Sequence, residues 1–348
     1  MLLWASFHES IFMMKSGPRQ PTIYDLARAS RVSISTVSRV INSPEKVSAE
    51  TRKKVTDAMD RLNYVPKAEA RARALRSNHR IGVITPFFTA PSFVQRLRGV
   101  ASALAKTSYE LVIFPVDSVD RLQTYLSVLP IAGNLDGIIV ISLPVTDEDV
   151  RHIIDRRLPA ALIEYPHPLL NCVEIDDFQG GKLAAEFLIK KGHHRIAFLG
   201  DTDLPEYAIH PVSLRLQGFR KTLQEAGIDL PEELVRLAPY DEHMARRVAE
   251  DLLGLADRPS AVFAATDLQA LGVLKAARQL GIRVPDDLAI IGFDDIDMAD
   301  FEDLTTIRQN LDESGRLAVE ILISHIDDSS RPVQHTELPL TVVERLSA

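Results

Sequence analysis

From residue 80 onward, short apolar runs alternate with amphipathic stretches: IGVITP, ELVIFPV, DGIIVIS and AALIEY come first, then RIAFLG, SAVFAA and LAIIG. Runs of Val, Ile and Leu this continuous read as strands buried on both faces, and the helical stretches between them are the crossovers that a parallel sheet requires. The alternation occurs twice over, which predicts two doubly wound lobes with a ligand crevice at the carboxyl ends of their strands. Before residue 80 the period changes to 3.6. Ile23, Leu26 and Ala27 share one helical face, Val37, Val40 and Ile41 a second, and Val55, Ala58, Met59 and Leu62 a third. Thr22, Ser33 and Ser48 stand where N-caps belong, with Asp25 three residues after Thr22 as in a capping box. Three short helices with a tight turn between the first two make a helix-turn-helix unit.

Charge gives these two regions different partners. The 348 residues are 46% hydrophobic and 25% charged, which suits a globular chain of two or three units. The net charge of -8 is unevenly spread: from Lys15 to Arg80 there are 15 Lys and Arg against 6 Asp and Glu, a balance of +9 that leaves -17 for the rest. A basic head on an acidic body implies an anionic partner for the head alone. Cys172 is the single cysteine, so an intrachain disulfide and a cysteine zinc site are both excluded, in keeping with a reducing cytoplasm. No apolar run reaches the roughly 20 residues that cross a bilayer. The opening MLLWASFHESIFMMK is apolar, yet it lacks a positively charged start and contains Glu9, so it makes a poor signal peptide. Residues 1–19 are expected to be a disordered extension, and Met13 and Met14 suggest that the residues before them come from an upstream start codon, a short amphipathic anchor being the alternative.

The segment SISTVSRVIN, residues 33–42, concentrates the chemistry of the head. With Val37, Val40 and Ile41 turned inward, Ile34, Ser35, Ser38 and Arg39 face outward. Arg39 can fork onto the O6 and N7 acceptors of a guanine in a major groove, and Ile34 and Ser35 can meet neighbouring base edges. Ser33, Thr36, Ser38 and Asn42 are short donors suited to phosphate oxygens, which fix register without reading sequence. The bland alternative is a small surface helix with a solvated arginine, and the surrounding positive charge argues against it.

At this point the sequence resembles the lactose/galactose repressor (LacI/GalR) family of bacterial transcription regulators. TIYDLARASRVSISTVSRVIN, VSAETRKKV and LNYVPKAEARARAL match that family's head in order and spacing. The resemblance implies that Ile34, Ser35 and Arg39 read bases, and that Thr22, Ser33, Thr36, Ser38 and Asn42 lie near the DNA backbone, with Ile23 and Tyr24 beside them. Two positions depart from the pattern. Arg31 stands in the turn where relatives usually carry Gly, so a left-handed backbone there costs roughly 1–2 kcal/mol. In the hinge, the family's minor-groove leucine lies seven residues past the proline; here that position is Arg73, and the leucine is Leu75. Either Leu75 wedges from a shifted helix or Arg73 enters a narrow groove by charge.

The resemblance extends through VEIDDFQGGKLAAEFLIKKGHHRIAFLG, SLRLQGF, FAATDLQALGVLKAARQLGIRVPDDLAIIGFDD and LTTIRQNLDESGRLAVEIL. It implies a periplasmic-binding-protein-like body whose chain crosses between lobes near Asp176, near residues 307–309 and near Leu338. Strand ends and resemblance together nominate an effector site. Asp294 is placed to accept two sugar hydroxyls, and Arg215 to donate to ring or hydroxyl oxygens or to a ligand's anionic group. Thr266 and Asp267 close the strand AVFAA, Tyr240 stands where relatives stack an aromatic ring, and Phe87, Phe88 and Phe93 form an apolar wall. For each, the bland reading is a cap, a surface ion pair or a core residue.

The expected fold is an N-terminal all-α helix-turn-helix head on an α/β periplasmic-binding-protein-like body with two doubly wound parallel-sheet lobes. The expected divisions are the head at 20–66, a hinge at 67–79 and the body at 80–348. Within the body, 80–176 and 310–337 form one lobe, and 177–307 and 338–348 the other. Partners are then double-stranded operator DNA, a small-molecule effector such as a sugar, and a second copy of the chain, with no cofactor, no metal, no membrane and a cytoplasmic, nucleoid-associated location. A solute-binding protein of a transport system is the alternative, and it leaves the basic head unexplained. A sugar-processing enzyme requires an acid/base pair or phosphate loop, and no nucleophile elbow, Walker loop or zinc-protease helix is visible. His193 and His194 are adjacent and so project apart, a poor start for a metal site.

Overall fold

The computed structural model describes residues 21–42, 46–62, 64, 78–202, 205–239 and 241–348. The chain divides into two units, residues 1–78 and 79–348.

In the first unit, the Thr22 hydroxyl accepts from the Asp25 N–H while the Asp25 carboxylate accepts from the Thr22 N–H at 2.9 Å, so the capping box opens helix α1 (Ile23–Ser30). That helix ends at Arg31, whose φ of 57° and ψ of 39° place a non-glycine residue in the left-handed region expected of the turn. Helix α2 (Ile34–Asn42) follows, then α3 (Ala49–Leu62). Leu26, Val37, Val55 and Ala58 are fully buried among the three, flanked by Ile23, Ile41, Met59 and Leu62. Apolar spacing in each helix supplies this small core, leaving the opposite face of α2 to solvent.

The second unit begins with β1 (Arg80–Thr85), α4 (Pro91–Leu104), β2 (Glu110–Pro115), α5 (Val119–Ala132), β3 (Gly137–Ile141), α6 (Asp147–Asp155), β4 (Ala160–Ile163) and β5 (Asn171–Glu174). Then come α7 (Asp177–Lys190), β6 (Ile196–Asp201), α8 (Pro211–Glu225), β7 (Val235–Ala238), α9 (Glu242–Leu253), β8 (Ala261–Ala264), α10 (Asp267–Leu280), β9 (Ala289–Asp294), α11 (Asp297–Phe301) and β10 (Thr305–Arg308). Helix α12 (Leu311–Asp327) and strands β11 (His335–Glu337) and β12 (Thr341–Val343) complete it.

Two six-stranded sheets result, ordered β11-β5-β4-β3-β1-β2 and β12-β10-β9-β8-β6-β7. Every pairing is parallel except that of β10 with β12. In each sheet the order reverses at the first strand, β1 or β6, which is where doubly wound sheets open a crevice. The chain passes from one sheet to the other at residues 175–176, at 309–310 and at 338–340. The middle passage carries α12 back onto the first sheet, where Ala318, Val319 and Leu322 join Ile81, Val83 and Ile139 in the core. The last passage lets β12 and its neighbours finish the second sheet. Buried Ser347 accepts from the Thr305 N–H at 2.8 Å and donates to the Ile290 carbonyl at 2.6 Å.

Two helix crossings bear directly on the crevice. A methyl group at Gly315 of α12 would sit 2.1 Å from the Arg96 carbonyl of α4, and one at Gly181 of α7 would sit 1.9 Å from the Arg215 carbonyl of α8. Both helix pairs therefore touch backbone to backbone, and each contact holds the residue that carries an inward-facing arginine.

Candidate functional site

Between the carboxyl ends of the two sheets lies a cavity of about 80 Å³. Pro86, Phe87, Ser92, Phe93, Arg96, Ser142 and Glu164 line it from the first lobe, and Asp201, Ala208, Ile209, Pro211, Val212, Arg215, Thr266 and Asp294 from the second; Gln309 stands on the middle passage. Phe87, Ser142, Glu164 and Asp294 all have positive φ, at 43°, 52°, 70° and 124°. Such backbone is uncommon for residues with side chains and collects where ends of strands must re-aim a side chain.

The polar groups form one continuous chain across the cavity. Glu164 accepts from Arg96 Nη2 and from the Ser142 hydroxyl. The same Arg96 Nη2 donates to Gln309 Oε1 at 2.9 Å, and Gln309 Nε2 donates to Asp294 Oδ1. Asp294 lies 4.0 Å from Arg215 Nη1, and Arg215 donates onward to Asp177 at 2.8 Å and to the Ala265 carbonyl at 2.6 Å. The Arg215 guanidinium also rests 3.6 Å above the Phe293 ring, a cation–π contact in a desolvated place. Neutralising partners on both sides make these buried arginines tolerable. Burial pushes the Asp294 carboxyl up to about 7, against the pull of Arg215 and Arg96. It likewise lifts Asp201 to about 6, where the Gln269 amide donates to it at 2.6 Å. Burial thus makes both of these crevice carboxyls harder to ionise than a free aspartate.

Of the residues nominated from sequence, the structure brings Phe87, Phe93, Arg215, Thr266 and Asp294 together on this cavity. Thr266 also caps α10, accepting from the Gln269 N–H at 3.3 Å. Asp267 turns the other way: fully buried, it accepts from the Ile296 N–H at 2.9 Å and the Thr306 hydroxyl at 2.5 Å, and it bolts β9 and β10 to α10 rather than lining the crevice. Phe88 is 42% exposed and lies outside the lining, because the turn after β1 sends it outward. Tyr240 falls outside the described residues. Sequence reasoning missed Arg96, Glu164, Asp201, Ser142 and Gln309. Arg96 had a signal, since it falls on the buried face of α4 with Phe93, Val100 and Ala103, where a charge needs a partner.

On the head, Ile34 is 43% exposed, and Ser35 and Arg39 are exposed beside it on α2. The Ser33 hydroxyl accepts from the Thr36 N–H at 3.1 Å and lies 2.8 Å from the hydroxyls of both Ser35 and Thr36. These hydroxyls gather at the amino end of a helix, where free N–H groups favour an anion. Ser38 is half-buried and Asn42 closes the helix. Tyr24 is 65% exposed, whereas Ile23 packs into the head core because it shares the face of Leu26 and Ala27. Arg73 and Leu75 lie outside the described residues. Among the described residues, His193 meets the Ser260 hydroxyl at 3.0 Å, and no helix is long and apolar enough to cross a membrane.

Comparison with known proteins gives concordant matches. The family model for bacterial regulatory proteins of the lacI family matches residues 22–67, and that for a periplasmic binding protein-like domain matches residues 185–348. The ribose operon repressor of Escherichia coli strain K12 is 34% identical over 336 residues, covering 94% of this chain and 99% of the relative. Among solved structures, the lac repressor dimer bound to operator and the anti-inducer ONPF is 27% identical with a TM-score of 0.76, covering 94% of this chain and 99% of that one. The transcriptional regulator CelR in complex with cellobiose is 28% identical with a TM-score of 0.67, covering 94% and 100%.

Proposed function

This chain belongs to the lacI family of bacterial regulatory proteins, and from that premise we propose that it is a cytoplasmic, ligand-controlled repressor acting by binding alone. Two heads of a homodimer read the halves of a near-palindromic operator through Ile34, Ser35 and Arg39, with Ser33, Thr36 and Ser38 on phosphates and Tyr24 beside them. The effector is a sugar or related metabolite held by Asp294, Arg215, Thr266, Phe87 and Phe93. Relatives named for the ribose operon and seen with cellobiose support that class.

The observation that carries this reading is the polar chain from Glu164 through Arg96, Gln309 and Asp294 to Arg215, because it ties both lobes to the strap between them. A ligand that replaces any of these bonds changes the preferred lobe angle, and whichever DNA-binding state it favours sets the sign of control.

A gel-shift assay with the chain's own upstream DNA at two salt concentrations tests the DNA half. A specific band that weakens steeply with salt is expected from phosphate contacts. Absence of any specific band rejects the repressor reading. Adding candidate sugars to the same assay reports the sign.

A homodimer is supported by an apolar groove of about 410 Å³ that includes Pro91, Leu268, Leu271, Ile296 and Met298. Val94, Met298 and Phe301 stand exposed on α4 and α11, an arrangement suited to a second copy.

A further inference from the structure

Arg96 and Arg215 occupy matching places in the two lobes. Each lies on a helix that begins with proline, Pro91 or Pro211, and each has its carbonyl pressed against a glycine of the neighbouring helix, Gly315 or Gly181. Both residues line the crevice, and each guanidinium is paired with a carboxylate of its own lobe, Glu164 or Asp177. They differ in satisfaction. Arg215 uses Nε on Asp177, whereas Arg96, only 3% exposed, has a buried Nε with no hydrogen-bond partner. Among the described residues it is the one buried side-chain nitrogen or oxygen so placed. A buried donor left unmet costs free energy that an acceptor on a ligand recovers.

Building on the crevice assignment above, we propose that Arg96 is a second effector-binding arginine, its Nε donating to a ring or hydroxyl oxygen of a neutral polyhydroxylated ligand of monosaccharide size. The chemistry of the lining selects neutrality. Arg96 and Arg215 are each already paired with a carboxylate, Glu164 or Asp177, so a phosphate group meets only compensated cations, while sugar hydroxyls donate to the carboxyl oxygens of the lining and accept from the guanidiniums. Phe87 and Phe93 meet edge to face at 5.9 Å and offer the apolar face of a sugar ring a place to lie.

Calorimetric titration of the full chain with ribose, arabinose, xylose, glucose and galactose, and with ribose 5-phosphate and glucose 6-phosphate, tests this. At least one neutral sugar is expected to bind, and its phosphate to bind more weakly. Arg96→Lys keeps a cation for Glu164 and removes the Nε donor. It is expected to weaken that sugar about ten- to hundredfold, the loss of one hydrogen bond to a charged group, while the ligand-free Tm stays within a few degrees. Arg96→Gln serves as a second variant that still donates to Glu164. Unchanged affinity in a folded Arg96 variant, with affinity lost in Arg215→Lys, overturns the role of Arg96 and leaves the crevice reading standing. Unchanged affinity in both arginine variants overturns the crevice reading itself. A preference for the phosphorylated sugars overturns neutrality, and no binding by any of the seven overturns both readings. Failure of both Arg96 variants to fold assigns the residue to architecture and also overturns the proposal.

Discussion

Arg39 and Asp294 show how differently single residues report on the two sites. Arg39 is exposed on α2, so its loss leaves the head core of Leu26, Val37 and Val55 intact. Arg39→Ala is expected to weaken operator binding by about 1–3 kcal/mol and to relax sequence preference at one position of each half-site, as read by gel shift on operator variants. Asp294 is buried, and its carboxyl is pushed up to about 7 by that burial. Between about pH 4, where an unfolded aspartate titrates, and pH 7, the folded ligand-free protein keeps a proton the unfolded chain has lost, so stability falls as pH rises through that window. Asp294→Asn is expected to flatten this part of the pH profile of Tm and to abolish sugar binding; an unaltered slope would reject the assignment. In the parent protein, sugar affinity is expected to rise from about pH 6 to 8 as the carboxylate forms and accepts hydroxyl donors. Asp294 and Arg215 were legible because they sit at the end of an apolar run and in a recognisable segment. Glu164 was not: its neighbours read as an ordinary strand end, and only the positive φ of 70° turns it into the crevice.

Among the elements, the long apolar runs announced β1, β2, β3, β4, β6, β8 and β9, and the polar gaps announced the helices between them. The strands that escaped notice are β5, β7, β10, β11 and β12, each of three or four residues. HTE and TVV carry no signal alone because their pairing with distant strands, not their own apolarity, makes them strands. Asp267 was misplaced for a similar reason: its spacing marked a strand end, but its hydrogen bonds to Ile296 and Thr306 depend on neighbours far along the chain. The helix crossings give a sharper test. Gly315→Ala forces a methyl group onto the Arg96 carbonyl, and is expected to destabilise by about 1–3 kcal/mol or more in urea unfolding. Because the displaced residue is Arg96, sugar affinity is expected to fall in the folded fraction as well. Alanine at Gly192, where no atom lies within 4 Å of the added methyl, strains only the local backbone and leaves sugar affinity unchanged.

For the whole molecule, the decisive surface is the exposed apolar face on α4 and α11. Phe301 is 78% exposed, and with the half-exposed Val94 and Met298 it makes an apolar surface of the kind that marks an interaction site. Phe301→Asp is expected to shift sedimentation from dimer toward monomer and to weaken operator binding with it, since each half-site is then bound independently. A dimer that persists in Phe301→Asp places the interface elsewhere. One further consequence follows from the way β11 and β12 close the two sheets. Neither lobe has its full complement of strands until residues 335–347 have left the ribosome, whereas the head is complete some 270 residues earlier. During synthesis the part of the chain suited to DNA can therefore fold well before the part suited to a ligand, and the newborn protein acquires its responsiveness last.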